Sequence, residues 1–258
     1  MVKGLYTAYT GMINEQHRMD TLTNNLANVT TTGFKKEGST SQSFDALLAY
    51  KLKDSSISPR IPQNIGFNQP GVKIGENYTD YSQGSFKITD NTYDMALSGD
   101  GFFTIEFTNK AGETSTKYTR DGSFTLTQEG YLVTKDGDYV MGTNGRIRLD
   151  PVKDTVIDQQ GNIFQDDALI SRIRITDFEN YDYLKKYGEN MLEPVEGATY
   201  RNADYKLFSG YLEMSNVNTV TEMVDLIAIT RQYEANQKII KSIDSTLEVA
   251  ANQLGRLG

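Results

Sequence analysis

Residues 24–36 read Asn-Asn-Leu-Ala-Asn-Val-Thr-Thr-Thr-Gly-Phe-Lys-Lys, and a helical pattern stops within this stretch. Asparagine and glycine commonly end helices, because both tolerate the left-handed backbone region. Threonine hydroxyls and asparagine amides also bond backbone groups that a helix end leaves free. We therefore expect a helix to end at Asn28, Gly33 to take a positive φ, and Phe34 to pin the turn against a second helix or a neighbouring subunit.

The residues before this stretch carry one narrow helical stripe. Its members recur every three or four positions, at Leu5, Tyr9, Met12, Gln16, Met19, Leu22 and Leu26. Such spacing places them on one face of a helix. A stripe this narrow is closer to the seam of a coiled coil than to the broad face of a core helix.

The other end of the chain shows a second stripe. It runs through Val220, Met223, Val224 and Ile227, and resumes at Ile240, Ile243, Leu247, Ala250 and Leu254. No proline interrupts residues 216–258. A helix over Thr219–Leu254 would be about 54 Å long at a rise of about 1.5 Å per residue.

Between the stripes the pattern changes to short strands and glycine turns. Runs rich in β-branched and aromatic residues alternate with pairs such as Asp121-Gly122 and Asn144-Gly145. The predicted strands include Phe102–Phe107, Lys117–Thr119, Ser123–Thr127, Tyr131–Thr134, Tyr139–Met141 and Ile170–Thr176. This spacing is typical of antiparallel β-structure.

The fold class that follows is α+β. Long N- and C-terminal helices pair as a coiled coil, and a mainly antiparallel β domain lies between them in the chain. The predicted domains are a terminal helical domain (1–34 with 216–258), an extended arm (35–70) and a β domain (71–215). A helix pair with surplus apolar surface favours association with further copies of itself.

Composition excludes several functions. The 258 residues carry a formal net charge of -8, with no cysteine and a single histidine, His17. Thiolate chemistry and two-histidine metal sites are therefore absent from the sequence, and an acidic chain argues against nucleic acid as a partner. No apolar run reaches the ~18 residues of a membrane helix, and the N-terminus shows no cleavable signal. We expect no enzymatic activity, no cofactor and no membrane insertion.

Three segments together resemble one known family. The opening stretch resembles the Asn-Leu-Ala-Asn…Gly-Phe-Lys signature of bacterial flagellar rod and hook axial proteins. Residues 211–218 with 231–238 resemble the C-terminal block of that family, and residues 94–103 with 118–124 resemble its β-domain core. The size, with one β domain, resembles the distal rod member or its sibling rod member with a β domain.

The resemblance implies a structural subunit that polymerises helically into a hollow, torque-transmitting drive shaft, with the terminal helices as its inner tube. Implied partners are further copies, other rod proteins, the hook protein, the type III export apparatus and surrounding ring or bushing proteins. The implied location is the extracytoplasmic basal body, in the periplasm and cell wall, reached without a cleaved signal. Phe44 and Leu48 resemble an export element. The predicted assembly residues are Leu5, Tyr9, Met12, Met19, Leu26, Asn28, Gly33, Phe34, Val220, Met223, Ile227, Tyr233, Ile240, Ile243, Leu247 and Leu254.

Two other functions stay open at this point. A β domain that binds cell-wall glycan, with helical ends for oligomerisation, would use the tyrosine-rich stretch Tyr181–Tyr187. A hydrolase would need paired carboxylates in a cleft, and sequence does not place them. Under the assembly hypothesis, replacing Gly33 by valine impairs assembly more than it impairs folding of residues 70–205.

Overall fold

The computed structural model describes residues 2–44, 47–51, 63–68, 71–110, 112–188 and 190–254. The chain divides into two compact units. The first comprises Met1–Leu26, Glu37–Thr79 and Thr219–Gly258, and the second comprises Ala27–Lys36 and Asp80–Asn218. Both chain ends therefore belong to the first unit, which we call the helical unit. The second, which we call the β unit, includes a short N-terminal segment.

The helical unit contains the two long helices of the chain. Helix α1 spans Val2–Ala27, and helix α2 spans Thr219–Val249 and continues as a π-helical turn over Ala250–Leu254. One helix at each end was expected, and this is confirmed. The α-helix at the C-terminal end stops at Val249 because the last turn widens to the longer π-type bonding. Neither helix is apolar and long enough in its described part to span a membrane.

Among the described residues, four strands complete the helical unit. They are β1 (Glu37–Ser43), β2 (Leu47–Lys51), β3 (Gln63–Asn68) and β4 (Val72–Thr79). Strand β1 pairs antiparallel with β4, and β2 pairs antiparallel with β3. Sequence predicts an extended arm over residues 35–70, and three of these strands lie in it. The proline-broken part of that arm, residues 52–62, lies outside the described residues.

The β unit is built from short strands joined by tight turns. In chain order they are β5 (Phe86–Ile88), β6 (Met95–Gly99), β7 (Phe102–Thr108), β8 (Thr114–Thr119), β9 (Phe124–Leu126), β10 (Leu132–Thr134), β11 (Tyr139–Gly142), β12 (Gly145–Arg146), β13 (Thr155–Ile157), β14 (Asn162–Gln165), β15 (Ala168–Arg172), β16 (Ile175–Phe178), β17 (Leu184–Tyr187), β18 (Met191–Pro194), β19 (Tyr200–Arg201), β20 (Tyr205–Ser209) and β21 (Tyr211–Glu213). A single 3₁₀ turn, Tyr181–Tyr183, separates β16 from β17.

Strand β7 is central to a ten-stranded sheet. The sheet runs in the order β17-β18-β8-β7-β11-β10-β9, and β12, β16 and β19 join it from the side. A three-stranded sheet, β13-β14-β15, and the pairs β20-β6 and β21-β5 complete the unit. Every strand pair among the described residues is antiparallel. The prediction of a mainly antiparallel β domain is therefore confirmed.

One predicted strand is split in two. Sequence alternation predicts a single strand over Ile170–Thr176, but β15 ends at Arg172 and β16 begins at Ile175. Between them, the amide of Arg174 donates to the carbonyl of Met141 at 3.0 Å. The chain crosses from one sheet to another here, because its backbone bonds change partner between Arg172 and Ile175.

Alternation along β7 builds two cores. Phe103 is fully buried and packs edge-on against Phe124, at 5.1 Å between ring centroids. Its neighbour Phe102 is also buried and joins a separate cluster with Phe178 and Tyr118. Successive side chains of a strand point to opposite faces, so one strand supplies an aromatic ring to each core.

Candidate assembly surfaces

The two helices lie against each other in antiparallel order. A methyl group placed on Gly4 would lie 3.6 Å from Cδ1 of Ile243. Further contacts occur at regular intervals along both helices, between Gly11 and Asn236, between Met19 and Thr230, and between Asn25 and Glu222. A β-carbon at Gly11 would come within 3.1 Å of the Asn236 side chain, so the helices are closest there, whereas one at Gly4 would make an ordinary van der Waals contact.

One face of α2 is turned inward. Seven of its buried and half-buried residues recur in alternating steps of four and three: Glu222, Leu226, Ile229, Tyr233, Asn236, Ile240 and Ile243. Three of the residues predicted for assembly, Tyr233, Ile240 and Ile243, therefore lie on the face that packs within the chain.

A second face of α2 is apolar and exposed. Val220 is 72 % exposed, Val224 59 %, Ile227 54 % and Met223 48 %. Sequence places these residues and Ile240 in one stripe that a polar turn interrupts, but the structure separates them. Position 240 follows position 227 by thirteen residues, which is about 3.6 helical turns, so the two side chains face different sides of α2. Leu247 is exposed, and the side chain of Leu254 lies outside the described residues.

The assembly residues predicted on helix α1 also fall into an inward, half-buried set and an exposed set. Leu5, Met12, Met19 and Leu26 are half-buried. Tyr9 is 50 % exposed, and its neighbours Tyr6 and Ile13 are exposed as well. The outer apolar residues of α1 thus gather in its first half.

Asn25, which sequence reasoning did not single out, is fully buried in the helical unit. Its amide donates to the carbonyl of Glu37 at 2.8 Å, and its side-chain oxygen accepts from the amide of Glu37 at 2.9 Å. The same side chain donates to a carboxylate oxygen of Glu222 at 3.3 Å. One amide therefore joins α1, α2 and the first residue of β1. The sequence signal that could have revealed this role is an asparagine next to the apolar stripe of α1, where an apolar residue would be expected.

The turn after α1 is fixed within the β unit. Asn28 accepts the Thr31 amide at its backbone carbonyl, at 3.2 Å, and the Thr31 hydroxyl at its side-chain oxygen, at 3.1 Å. Gly33 takes φ of +69°, as its sequence predicts. A β-carbon at Gly33 would lie 2.6 Å from the carbonyl carbon of Arg120 and closer still to the amide nitrogen of Asp121.

Phe34 is 4 % exposed and also belongs to the β unit. The ammonium group of Lys186 lies 4.6 Å from the centre of its ring, which is cation-π distance. Lys186 also donates to the carbonyl of Lys35 at 3.0 Å. Sequence expects Phe34 to pack against a helix or a neighbouring subunit, and the structure shows this ring packed within its own chain.

The export element is only partly described. Phe44 is 36 % exposed, and Leu48 lies in β2. Residues 45–46, between them, lie outside the described residues. Among the residues that the structure describes, no group of three or more histidine, aspartate or glutamate side chains is arranged to hold a metal ion.

Comparisons with known proteins agree on one family. A model described as "Flagella basal body rod protein" matches residues 5–35, "Flagellar hook protein FlgE/F/G D1 domain" matches 96–165, and "Flagellar basal body rod FlgEFG protein C-terminal" matches 209–254. These matches follow the order of α1, the β unit and α2 along the chain. They define the protein as one of the axial proteins of the bacterial flagellum.

Named relatives are similar over almost the whole chain. The flagellar basal-body rod protein FlgG of Bacillus subtilis is 33 % identical, covering 98 % of this chain and 99 % of its own length. FlgG of Borreliella burgdorferi is 32 % identical, covering 98 % of each chain. FlgF of Caulobacter vibrioides is 31 % identical, covering 100 % of this chain and 99 % of its own. The chain belongs to the flagellar basal-body rod protein family.

Proposed function

We propose that the protein is a structural subunit of the bacterial flagellar basal-body rod. Copies associate helically into a hollow shaft, and the shaft transmits torque from the motor to the hook. The family and the names of the relatives support a rod subunit. The argument for helical association comes from the exposed apolar surfaces of α1 and α2.

The observation that carries the proposal is the outer face of α2. Four apolar side chains, Val220, Met223, Val224 and Ile227, occupy about two turns there and are about half exposed or more. Single exposed apolar residues are ordinary, but a contiguous group at one place marks a surface that binds another molecule. In a rod, the molecule that covers this face is a second copy.

We also propose that α1 and α2 pair as a coiled coil. The inward residues of α2 alternate in steps of four and three, which is the heptad spacing of such pairs. The contacts with Gly4, Gly11, Met19 and Asn25 extend along most of α1. Because each helix has the other as its main partner, we expect both to exchange amide hydrogens faster in the free monomer than in the polymer. Strong protection of Thr219–Val249 in the monomer would count against this expectation.

Among rod subunits we propose the distal one. The Gly33-Phe34-Lys35 and Gly99-Asp100-Gly101-Phe102-Phe103 forms support this choice. The partners we propose are other rod proteins, the hook protein, the export apparatus and the surrounding ring or bushing proteins. The proposed location is the extracytoplasmic part of the basal body, and catalysis has no place in this function.

The test replaces two outer residues of α2 by aspartate. We expect the Val224→Asp/Ile227→Asp double variant to keep the circular dichroism of the wild-type monomer and to lose polymerisation. Sedimentation velocity and negative-stain electron microscopy of concentrated protein measure the outcome. The matched control is Val152→Asp, which changes a 92 % exposed valine of the β unit.

The control variant should form rods as the wild type does. If the α2 double variant and the control polymerise equally, the outer face of α2 does not carry the assembly and the proposal fails.

The glycan-binding alternative receives no support from the comparisons. Two of its candidate tyrosines, Tyr181 and Tyr187, have partners within the β unit. Tyr181 donates to a carboxylate oxygen of Asp177 at 2.8 Å, and Tyr187 packs edge-on against Phe107 at 5.3 Å between ring centroids.

A further inference from the structure

A buried carboxylate, that of Glu213, receives bonds from three distant segments of the β unit. Its side chain has no exposed surface. One oxygen accepts from the Lys35 ammonium at 2.6 Å and from the Gly84 amide at 3.0 Å. The other oxygen accepts from the Arg120 guanidinium at 3.5 Å. The backbone carbonyl of Glu213 accepts from the Gly33 amide at 2.8 Å.

The two cations are held in place by further bonds. Lys35 also donates to the carbonyl of Ser82 at 2.8 Å, and Arg120 donates to the carbonyl of Gly99 at 2.7 Å. Lys35 is only 5 % exposed and Arg120 only 6 % at the side chain. Burial lowers the pKa of Lys35 below its ordinary value, and the charge of Glu213 opposes this effect. Neither cation reaches solvent without breaking the site.

A second set of bonds runs beside the first. The side-chain oxygen of Asn216 accepts from the amide of Lys36 at 2.8 Å, and its amide group donates to the carbonyl of Asp80 at 2.9 Å. The amide of Asp80 in turn donates to the carbonyl of Lys36 at 2.8 Å. Three short segments, residues 33–36, 80–84 and 213–216, are therefore bonded to one another pairwise.

The first and the last of these segments, residues 33–36 and 213–216, lie near opposite ends of the β unit in sequence. Lys35 directly follows the turn after α1, and Glu213 directly precedes the approach to α2. A buried ion pair that loses one partner leaves an uncompensated charge away from solvent, which is strongly unfavourable. The two segments consequently cannot be ordered independently.

We infer that Glu213 is the positioning residue of a lock, formed by its bonds with Lys35, Gly84 and Arg120, that holds two segments of the β unit together, so that residues 33–36 and 211–216 order and open together. The lock is the closing contact of the unit, because Lys35 and Glu213 flank nearly all of its sequence. When one of the two segments is disordered, the other loses its bonding partners.

Ion pairs on the surface of the same unit offer a matched contrast. Arg146 and Glu106 form a bond of 2.6 Å, but their side chains are 41 % and 19 % exposed. Water replaces the partner when such a pair is broken, so its loss has little effect. Glu106→Gln therefore makes the same chemical change as Glu213→Gln at a place where no lock is expected.

The experiment is hydrogen exchange with mass spectrometry on the full-length chain. In Glu213→Gln, we expect peptides covering residues 30–37 and peptides covering 211–216 to exchange at least tenfold faster, and by the same factor. Peptides from β7 should accelerate less. In Glu106→Gln, all of these peptides should exchange at the wild-type rate.

Lys35→Met keeps the inference testable if Glu213→Gln does not fold. It removes the ammonium group but leaves Glu213 its bonds from Arg120 and Gly84, and it should open the same two regions together. In the Lys35→Met/Glu213→Gln double variant, the acceleration should be smaller than the product of the two single effects, since both changes break one lock. Acceleration of only one region, or fully multiplicative effects, would overturn the inference.

Discussion

The helical unit and the β unit treat their apolar residues in opposite ways. In the β unit, Phe102 and Phe103 are adjacent on one strand, and each fills a separate core within the same chain. In the helical unit, α2 turns Val220 and Ile227 outward while it buries Glu222. The β unit thus builds two apolar cores from one strand, whereas α2 carries a contiguous group of exposed apolar residues on its outer face.

The comparison also concerns polar groups. Each unit buries one acid that bonds to the N-terminal part of the chain, Glu222 through Asn25 and Glu213 through Lys35. In the helical unit the partner of the buried acid is the neutral amide of Asn25, and in the β unit it is the charged ammonium group of Lys35. Burial of a charge demands close and fixed partners, and the β unit supplies two of them to Glu213 as the cations Lys35 and Arg120.

The largest effect should come from removing a ring of the β-unit core. Phe103→Ala is expected to lower the free energy of unfolding by about 3–5 kcal/mol, because the site loses apolar contacts and leaves a cavity. Ile227→Ala, on the exposed face of α2, should change the monomer by no more than about 0.5 kcal/mol. Urea denaturation followed by circular dichroism measures both. Similar losses for the two variants would remove the distinction between the units.

A slightly smaller loss is expected from Gly33→Val. The residue has φ of +69°, and any β-carbon there meets the backbone of Arg120 and Asp121. Strain and crowding together should cost about 3 kcal/mol. Sequence alone predicts that this change acts mainly on assembly, but the structure places it in the β unit, so we expect the stability of this unit to fall.

Gly188→Ala is the control for that prediction. Gly188 has nearly the same φ, +65°, but a β-carbon there meets nothing within 4 Å. Its substitution should cost only about 1 kcal/mol, from backbone strain alone. Equal losses at positions 33 and 188 would show that crowding by the β unit contributes nothing.

Asn25→Ala tests the bonds by which Asn25 joins α1 to the first residue of β1 and to α2. The substitution leaves the backbone amide and carbonyl of Glu37 without their side-chain partner, and we expect a loss of about 2 kcal/mol. Asn24→Ala, at an exposed neighbouring position, should cost less. Amide exchange of β1 reports the change directly. If β1 remains as protected in Asn25→Ala as in the wild type, the bonds of Asn25 do not hold this strand.

The smallest effects should appear in alkaline solution. Burial, followed by the bond to Asp177, raises the pKa of Tyr181 above its ordinary value of 10, and burial raises the pKa of Tyr118 likewise. Above about pH 10 the unfolded tyrosines release protons first, so stability falls as pH rises. Tyr181→Phe should therefore flatten the fall in unfolding free energy between about pH 9 and pH 11.

Lys35 acts in the opposite direction. Its pKa is lowered in the folded chain, so below the ordinary value of 10.5 the unfolded chain binds more protons and stability rises with pH. Lys35→Met should make the alkaline fall steeper than in the wild type. Denaturant titrations at a series of pH values measure both variants, and slopes that move the other way would contradict the assigned signs.

Local patterns determined much of this protein from sequence. The three- and four-residue stripes predicted α1 and α2, and the glycine turns predicted antiparallel strands, because helix and strand periods are local properties. The positive φ at Gly33 followed for the same reason. The motifs at residues 24–36, 94–103 and 211–218 also sufficed to indicate the family.

Only the tertiary structure decided which apolar residues are buried. Ile240 and Ile227 look equivalent in the sequence, but α2 turns the first inward and the second outward, because thirteen residues between them do not make a whole number of helical turns. The bonds of Asn25 to Glu37 and Glu222, and of Lys35 to Glu213, were equally invisible. They join residues that are far apart in the chain, and polar partners across such separations are set by packing, which no local pattern encodes.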